Sequence, residues 1–325
     1  MSKGMSVAVK LILSKRFPPG TPEFKFGRYR IQPVPLSSTA EGEAILSFMN
    51  TYEDPVGGGS HPEEEANIVC RLLSVFLDTR IKKNGLRVNE IDIPVIEGRD
   101  SGQYPQFFGV FDPTQVENYL RRALSLDEDL ARQFIRACHT YSFALEFIPS
   151  DPTFAFFLLV VAGECMSSQD KVIPFSDLKP DSKKCERFCR FITPFLPEEF
   201  KGDDERNDPL FNELLKTIYY SHRSGFVHGG KEVSSAALMA DKVGSSYFKH
   251  ATEGKELRTP GLGWFAKIIR GTLLGYIISL PLPSDDRIDE ELFSRLAFEK
   301  AGLRIKVKKD IKKGQVVTFD DIEYR

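Results

Sequence analysis

The feature that most limits how this chain can fold is a run of nine residues, 154–162, in which every side chain is apolar. Asp151 and Pro152 stand just before it, an N-cap residue and then a proline suited to the first helical position, so a helix is predicted to begin there. Because the run is apolar on all sides, we expect this helix to lie at the centre of a bundle. Its length is less than half of the ~20 residues that span a bilayer, so no membrane segment is expected.

The chain around this run has a helical pattern over residues 112–282. Apolar residues recur at helical spacing, and prolines mark several of the boundaries. The remaining predicted helices of this block cover 114–123, 127–147, 181–194, 208–224 and 260–279. Together they predict an all-α bundle with antiparallel connections.

The two flanking parts differ from this block, which makes the predicted fold class α+β. Residues 1–105 are predicted to form a mixed α/β domain: 6–14 alternate like a strand, a helix opens at Pro62 before three glutamates, and 87–98 form another strand. Residues 286–325 are predicted to form a charged helix over 286–300, followed by a basic β-hairpin that turns at 312–314.

Charge excludes a protein that is basic overall. The chain has 44 basic and 46 acidic residues, with a formal net charge of −2, so any contact with nucleic acid must come from local patches. One candidate patch repeats at helical spacing: Lys183, Lys184, Arg187 and Arg190. The other, a possible RNA-binding patch, belongs to the C-terminal hairpin: Lys306, Lys308, Lys309, Lys312 and Lys313. A solvated charged face, or an edge strand used in dimerisation, is the alternative interpretation of these cations.

The cysteine pattern predicts neither a metal site nor a disulfide framework. Five cysteines occur without a CxxC motif and without histidines at ligand spacing, so we expect no metal and no cofactor. Cys185 and Cys189 are four residues apart, which places them on one face of a helix. The N-terminal segment lacks the long apolar region of a signal peptide, so reduced thiols in a cytoplasmic protein are expected.

The most informative segment for function is 214–230. An apolar helical stripe over 214–219 leads into Arg223, and His228 follows five residues later. On an unbroken helix these two side chains would point about 140° apart. They can converge if the helix loosens at Gly225 or Gly229, or if two chains each contribute to one site.

Residues 223–228, Arg-Ser-Gly-Phe-Val-His, match the R-x4–6-H signature of HEPN domains. The apolar helix before them and the Gly-Gly pair after them resemble the Apea-like HEPN subgroup in particular, and so do the buried helix at 154–165 and the late helix at 261–277. The resemblance covers 112–282, about half of the chain. It implies a homodimeric endoribonuclease that cleaves single-stranded RNA without a metal ion. Such hydrolases act in antiviral defence or in toxin-type growth arrest of prokaryotes.

The residue types suit this chemistry. RNA carries its own nucleophile, the 2′-OH, which needs a base, and its leaving 5′-oxygen needs an acid; a histidine can do either near neutral pH. We therefore assign acid–base catalysis to His228 and binding of the scissile phosphate to Arg223, whose planar guanidinium matches two phosphate oxygens. Ser224, His222 and Glu164 are the supporting candidates. Glu164 lies on the apolar helix and needs a partner, for which Arg223 or Arg270 is expected.

Two other hypotheses stay open. Nucleolytic members of the family often carry Asn, Asp or His directly after the arginine, where this chain has Ser224. The main alternative is therefore a non-catalytic HEPN module that binds RNA, dimerises and recruits a partner. A third is an antitoxin-like partner of a nucleotidyltransferase. In each case the N-terminal domain could bind a regulatory ligand or protein.

Overall fold

The structure is a computed structural model, and the description of the fold is confined to part of the chain. The described residues are 5–13, 17, 20–34, 42–50, 61–77, 79–88, 91–93, 113–148, 150–169, 171–173, 183–195, 209–220, 246–249, 256–259, 261–301, 305–307 and 322–324. They combine an antiparallel sheet with a set of packed helices, as the α+β prediction requires.

Six antiparallel strands form the N-terminal sheet. They are β1 (Met5–Leu13), β2 (Phe24–Phe26), β3 (Tyr29–Pro33), β4 (Gly42–Asn50), β5 (Ile81–Val88) and β6 (Ile91–Ile93), in the spatial order β2-β3-β4-β1-β5-β6. Alternate side chains of β1, among them Val7, Val9 and Leu11, are buried on one face of the sheet. This confirms the strand that the alternation predicted.

One helix, α1 (Pro62–Phe76), packs on the sheet next to β5. Proline occupies its first turn together with Glu63 and Glu64, where acidic groups face the positive end of the helix dipole. The predicted helix start is therefore confirmed. The third glutamate, Glu65, is fully buried, which the sequence pattern did not indicate.

Seven helices follow in the rest of the described chain: α2 (Pro113–Leu124), α3 (Glu128–Phe147), α4 (Pro152–Ser167), α5 (Lys183–Ile192), α6 (Pro209–Ile218), α7 (Leu262–Ser279) and α8 (Leu292–Ala301). The carboxylates of Asp127 and Asp151 cap α3 and α4, since they accept hydrogen bonds from the backbone N–H groups of Leu130 (3.1 Å) and Phe154 (2.9 Å). These caps explain why both helix starts could be predicted from the sequence.

The apolar helix α4 lies at the centre of the helices, as predicted. It packs against α3, α5 and α7. Phe156 stacks on Phe265 of α7 with 4.5 Å between the ring centroids. Two turns further along α4, Gly163 lets Phe188 of α5 approach so closely that a Cβ at Gly163 would lie 2.6 Å from the ring. The central position of α4 therefore depends on its contacts with aromatic rings of α5 and α7.

The sheet and the helices share one hydrophobic core. Arg270 of α7 donates hydrogen bonds to the backbone carbonyls of Val75 (2.7 Å) and Phe76 (3.1 Å), the last two residues of α1. A cation at this position matches the negative end of the helix dipole. The ring of Phe76 also packs on Phe134 of α3, with 6.4 Å between the ring centroids.

In the described part of the chain, no helix combines the length and the hydrophobicity that a membrane-spanning segment requires.

Three predictions about the elements need correction. The single strand predicted at 87–98 is wrong, because the end of β5 and the separate strand β6 pair antiparallel there. The block 112–282 is not helical throughout: β7 (Ser246–Lys249) and β8 (Glu256–Thr259) form a two-stranded sheet within it. The last helix begins at Leu292 rather than 286, because residues Asp285–Arg287 form a short 3-10 turn and the backbone is extended at Ile288.

The C-terminal hairpin is described only at its two ends. β9 (Ile305–Val307) pairs antiparallel with β10 (Ile322–Tyr324), as expected for the arms of a hairpin. The predicted turn at 312–314 lies outside the described residues.

Candidate functional site

The segment that carries the predicted catalytic residues begins where the described part of α6 ends. Arg223 and His228, with the supporting Ser224 and His222, lie within 221–230, outside the described residues. Glu164 is described, and so is the chain up to Tyr220. The structure therefore describes the residues that directly precede the segment, together with Glu164.

The apolar stripe that ends α6 is buried at each of its members whose side chain the structure describes. Leu215 and Ile218 are fully buried and Tyr219 is 4% exposed. The ring of Tyr219 packs on Phe188 of α5, with 5.4 Å between the centroids. Because these contacts lie directly before residue 221, they fix the point from which the candidate catalytic segment starts.

Glu164 faces this same point. The Tyr219 hydroxyl donates a hydrogen bond of 2.5 Å to the Glu164 carboxylate, which is half-buried on the last turns of α4. A hydroxyl that donates to a carboxylate offsets part of the free energy lost when the charge is removed from water. Glu164, one of the supporting candidates, thus contacts a residue four positions before Arg223.

The sequence analysis missed this partner. The sequence predicted that Arg223 or Arg270 pairs with Glu164; Arg223 lies outside the described residues, and Arg270 donates to the carbonyls at the end of α1. A signal was present, because Tyr219 is the one member of the apolar stripe with a hydroxyl. A buried tyrosine hydroxyl generally finds a hydrogen-bond partner.

The geometry around Glu164 follows from the small residue beside it. Gly163 allows the Phe188 ring to lie against α4, and Phe188 in turn supports the ring of Tyr219. The ring contacts and the Tyr219–Glu164 bond therefore depend on one another. A larger residue at 163 would displace Phe188 and with it the tyrosine.

The first basic patch is not the exposed stripe that its spacing predicted. Arg187 is 2% exposed, and its Nε donates a 2.6 Å hydrogen bond to the carbonyl of Ser167 at the end of α4. Arg190 pairs with Glu186 on its own helix at 2.7 Å. Helical spacing placed these cations on α5 correctly, but one of them is used inside the protein.

The second basic patch is almost wholly outside the described residues. Lys306 lies in β9, whose backbone alone is described, whereas Lys308, Lys309, Lys312 and Lys313 fall between β9 and β10. Its interpretation as an RNA contact stays a prediction from the sequence.

Comparison of the chain with models of protein families, with curated proteins and with solved structures gives no match. Function is therefore inferred from the residues and from the geometry around Glu164. Within the part of the chain that the structure describes, no group of three or more His, Cys, Asp or Glu side chains is arranged to hold a metal ion.

Proposed function

We propose that this protein is an HEPN-like endoribonuclease that cleaves single-stranded RNA through attack of the 2′-OH. The observation that supports the proposal best is the hydrogen bond from Tyr219 to Glu164. It holds Tyr219, four residues before Arg223, against a half-buried carboxylate. Clusters of ionisable groups at a helix end are common at catalytic sites, where neighbouring charges tune one another.

In the proposed reaction the two signature residues have separate roles. His228 exchanges protons with the 2′-OH or with the leaving 5′-oxygen, and Arg223 binds the phosphate as its negative charge grows. Attack of the 2′-oxygen on phosphorus breaks the bond to the 5′-oxygen. The products carry a 2′,3′-cyclic phosphate and a 5′-hydroxyl, and the reaction needs no added water molecule.

The site is proposed to form between two copies of the chain. An arginine and a histidine that point about 140° apart on one helix do not meet on a single phosphate. Two segments that face each other across a two-fold axis can pair the arginine of one with the histidine of the other. The lysines of the C-terminal hairpin would then bind RNA beside this cleft, in a cytoplasmic protein of defence or growth arrest.

The direct test is cleavage of labelled single-stranded RNA by the purified full-length protein in the presence of a chelator. We expect cleavage to persist in chelator and His228→Ala to lower its rate at least about 100-fold, since positioned acid–base groups contribute that much. His139→Ala is the matched control, because His139 stacks on Phe143 of α3 and has no role in the proposed reaction.

The substrate gives an independent control. RNA with a 2′-deoxy sugar at the cleaved nucleotide should remain intact. Equal cleavage by His228→Ala, or cleavage of the deoxy substrate, would contradict the mechanism. If the wild type and His228→Ala bind RNA equally and neither cuts, the non-catalytic binding module is the correct function.

The shared site has its own test by complementation. His228→Ala and Arg223→Ala are each expected to be inactive alone. A mixed dimer has one site with both native residues if the two come from different chains, so mixing should restore part of the activity. Mixing that restores nothing, despite confirmed heterodimers, would place both residues of a site on one chain.

A further inference from the structure

Two buried thiols lie beside the end of α6, directly before the candidate catalytic segment 221–230 in the sequence. Cys185 and Cys189 stand four residues apart on α5, and each is 4% exposed. α5 packs against α6 along this face. The sequence predicted that both lie on one helix face, and the structure confirms it.

Groups from the end of α6 contact this pair. The sulfur of Cys185 interacts with the Cys189 thiol, with the hydroxyl of Tyr220 and with the charge of Lys216. Tyr220 is 52% exposed, so the Cys185 sulfur lies just beneath the protein surface. Lys216 in turn bonds Glu213 at 2.7 Å on its own helix.

In the hydrogen bond between the two thiols, Cys189 is the donor and Cys185 is the acceptor. The hydrogen bond from Cys189 is the largest cause that lowers the pKa of Cys185, and Tyr220 and Lys216 lower it further against the effects of burial and of the Glu213 carboxylate, which both raise it. The same bond, together with burial, raises the pKa of Cys189 well above its ordinary value. Burial raises the pKa of Cys165 to about 11, although the charge of Arg136 and a hydrogen bond from Thr140 lower it. Of the two thiols, Cys185 is therefore the one that more readily becomes a thiolate.

We propose that Cys185 and Cys189 form a dithiol that hydrogen peroxide oxidises reversibly, with Cys185 as the reacting thiol and Cys189 as the resolving thiol. The Cys185 thiolate attacks one peroxide oxygen, the O–O bond breaks, and hydroxide leaves and is protonated to water. The Cys189 sulfur then attacks the sulfenic acid, an S–S bond forms, and a second water leaves with the Cys189 proton. Peroxide is reduced and the two thiols are oxidised.

The disulfide requires a change in α5. Four residues along a helix bring the Cα atoms about 6.2 Å apart, which a disulfide tolerates, but leave the Cβ atoms near ~6.4 Å instead of the ~3.8 Å that it needs. Cys185 is the third residue of the helix, within the first turn, whose N–H groups are not held by bonds inside the helix. Oxidation therefore opens the first turn and moves Cys185 away from Tyr220.

This movement links the dithiol to the candidate segment, because Tyr220 directly precedes residue 221. Oxidation should therefore change the rate of RNA cleavage, an expectation that rests on the proposed function. The oxidation chemistry itself does not rest on it.

Peptide mapping of the full-length protein tests the chemistry. Trypsin cuts after Lys184, Arg187 and Arg190, so the two cysteines fall on separate peptides, 185–187 and 188–190. After treatment with peroxide we expect these two peptides to be joined, with a mass lower by two hydrogens, and dithiothreitol to separate them. Cys189→Ser should stop at a sulfenic acid on Cys185 that dimedone traps, while Cys138→Ser, at a buried cysteine on α3, should behave like the wild type.

Two measurements need no cysteine variant, so they test the proposal even if such a variant does not fold. Tyr220→Phe, at an exposed position, should slow the alkylation of Cys185 by iodoacetamide several-fold. Unjoined peptides and no dimedone adduct in the folded wild type would overturn the proposal. If the peptides join but the protein cuts RNA in neither redox state, the dithiol stands and the proposed nuclease function fails.

Discussion

A buried carboxylate in α1 allows a quantitative test of how the sheet and the last described helix are held together. Glu65 is fully buried and accepts four hydrogen bonds. One oxygen accepts from the Arg28 guanidinium (2.5 Å) and the Tyr29 hydroxyl (2.7 Å). The other accepts from the Asn50 amide (2.7 Å) and from the hydroxyl of Ser294 on α8 (2.8 Å).

Glu65→Gln keeps the shape of the side chain and removes its charge. The amide nitrogen cannot accept, so two of the four donors lose their acceptor, and the guanidinium of Arg28 loses its counter-charge. Breaking a buried ion pair from one side costs about 3–5 kcal/mol, and hydrogen bonds to a charged group are worth ~1.5–3 kcal/mol each. We therefore expect the free energy of unfolding to fall by about 3–5 kcal/mol, a large part of the ~5–15 kcal/mol typical of folded domains.

Urea unfolding followed by circular dichroism and by the fluorescence of Trp264, the sole tryptophan, measures this loss. The midpoint should drop by about 1–2 M, since m-values of small proteins are ~1–3 kcal/mol/M and rise with size. Glu63→Gln is the matched control: Glu63 lies in the same helical turn, is 55% exposed and pairs with Lys83 at 2.8 Å, so its loss should stay within ~1 kcal/mol. If the two variants lose the same stability, the buried network does not hold this junction.

Two further variants test local packing and pH dependence. Gly163→Ala should destabilise the protein by about 1–3 kcal/mol despite the better helix propensity of alanine, because the new Cβ would lie 2.6 Å from the Phe188 ring; an unchanged melting temperature would contradict this. A hydrogen bond from Arg295 lowers the pKa of Asp289 in the folded protein. The charged carboxylate therefore stabilises the fold at pH values above ~3.9, the ordinary pKa of an aspartate. This stabilisation is lost as the pH falls through the lowered pKa of the folded state. Asp289→Asn should therefore lower the free energy of unfolding at pH 7 by about 1 kcal/mol. The difference in urea midpoint between the variant and the wild type should narrow towards pH 3. A difference that stays constant with pH would show that the Asp289 charge does not stabilise the fold.

Signals that lie within a few residues of one another predicted most of the helices and the first strand. Asp127 and Asp151 cap their helices with their own side chains, and Pro62 with its acidic neighbours begins α1. Each of these choices depends on backbone groups two or three residues away, so the sequence alone contains the relevant partners.

Contacts between distant parts of the chain could not be predicted in the same way. Helical spacing places Arg187 on α5, but its burial depends on the end of α4, twenty residues earlier. The pairing of β7 with β8 was not predicted for another reason, because each strand has only four residues and lies within a block of helical pattern. Glu164 was predicted as a supporting site residue from the resemblance to HEPN domains, in which related positions carry an acidic residue, yet its partner Tyr219 lies 55 residues away.

Two adjacent tyrosines show how the end of α6 is tied to different neighbours. Tyr219 is buried and bonds the carboxylate of Glu164 on α4, whereas Tyr220 is exposed and contacts Cys185 on α5. Their rings stand at 86° to each other, with 5.8 Å between the centroids. Residue 221 therefore follows a point held by a carboxylate on one side and by a thiol on the other. Of these two contacts, the proposed oxidation of Cys185 breaks only the one with Tyr220, so we expect Tyr219 to keep its bond to Glu164 in both redox states.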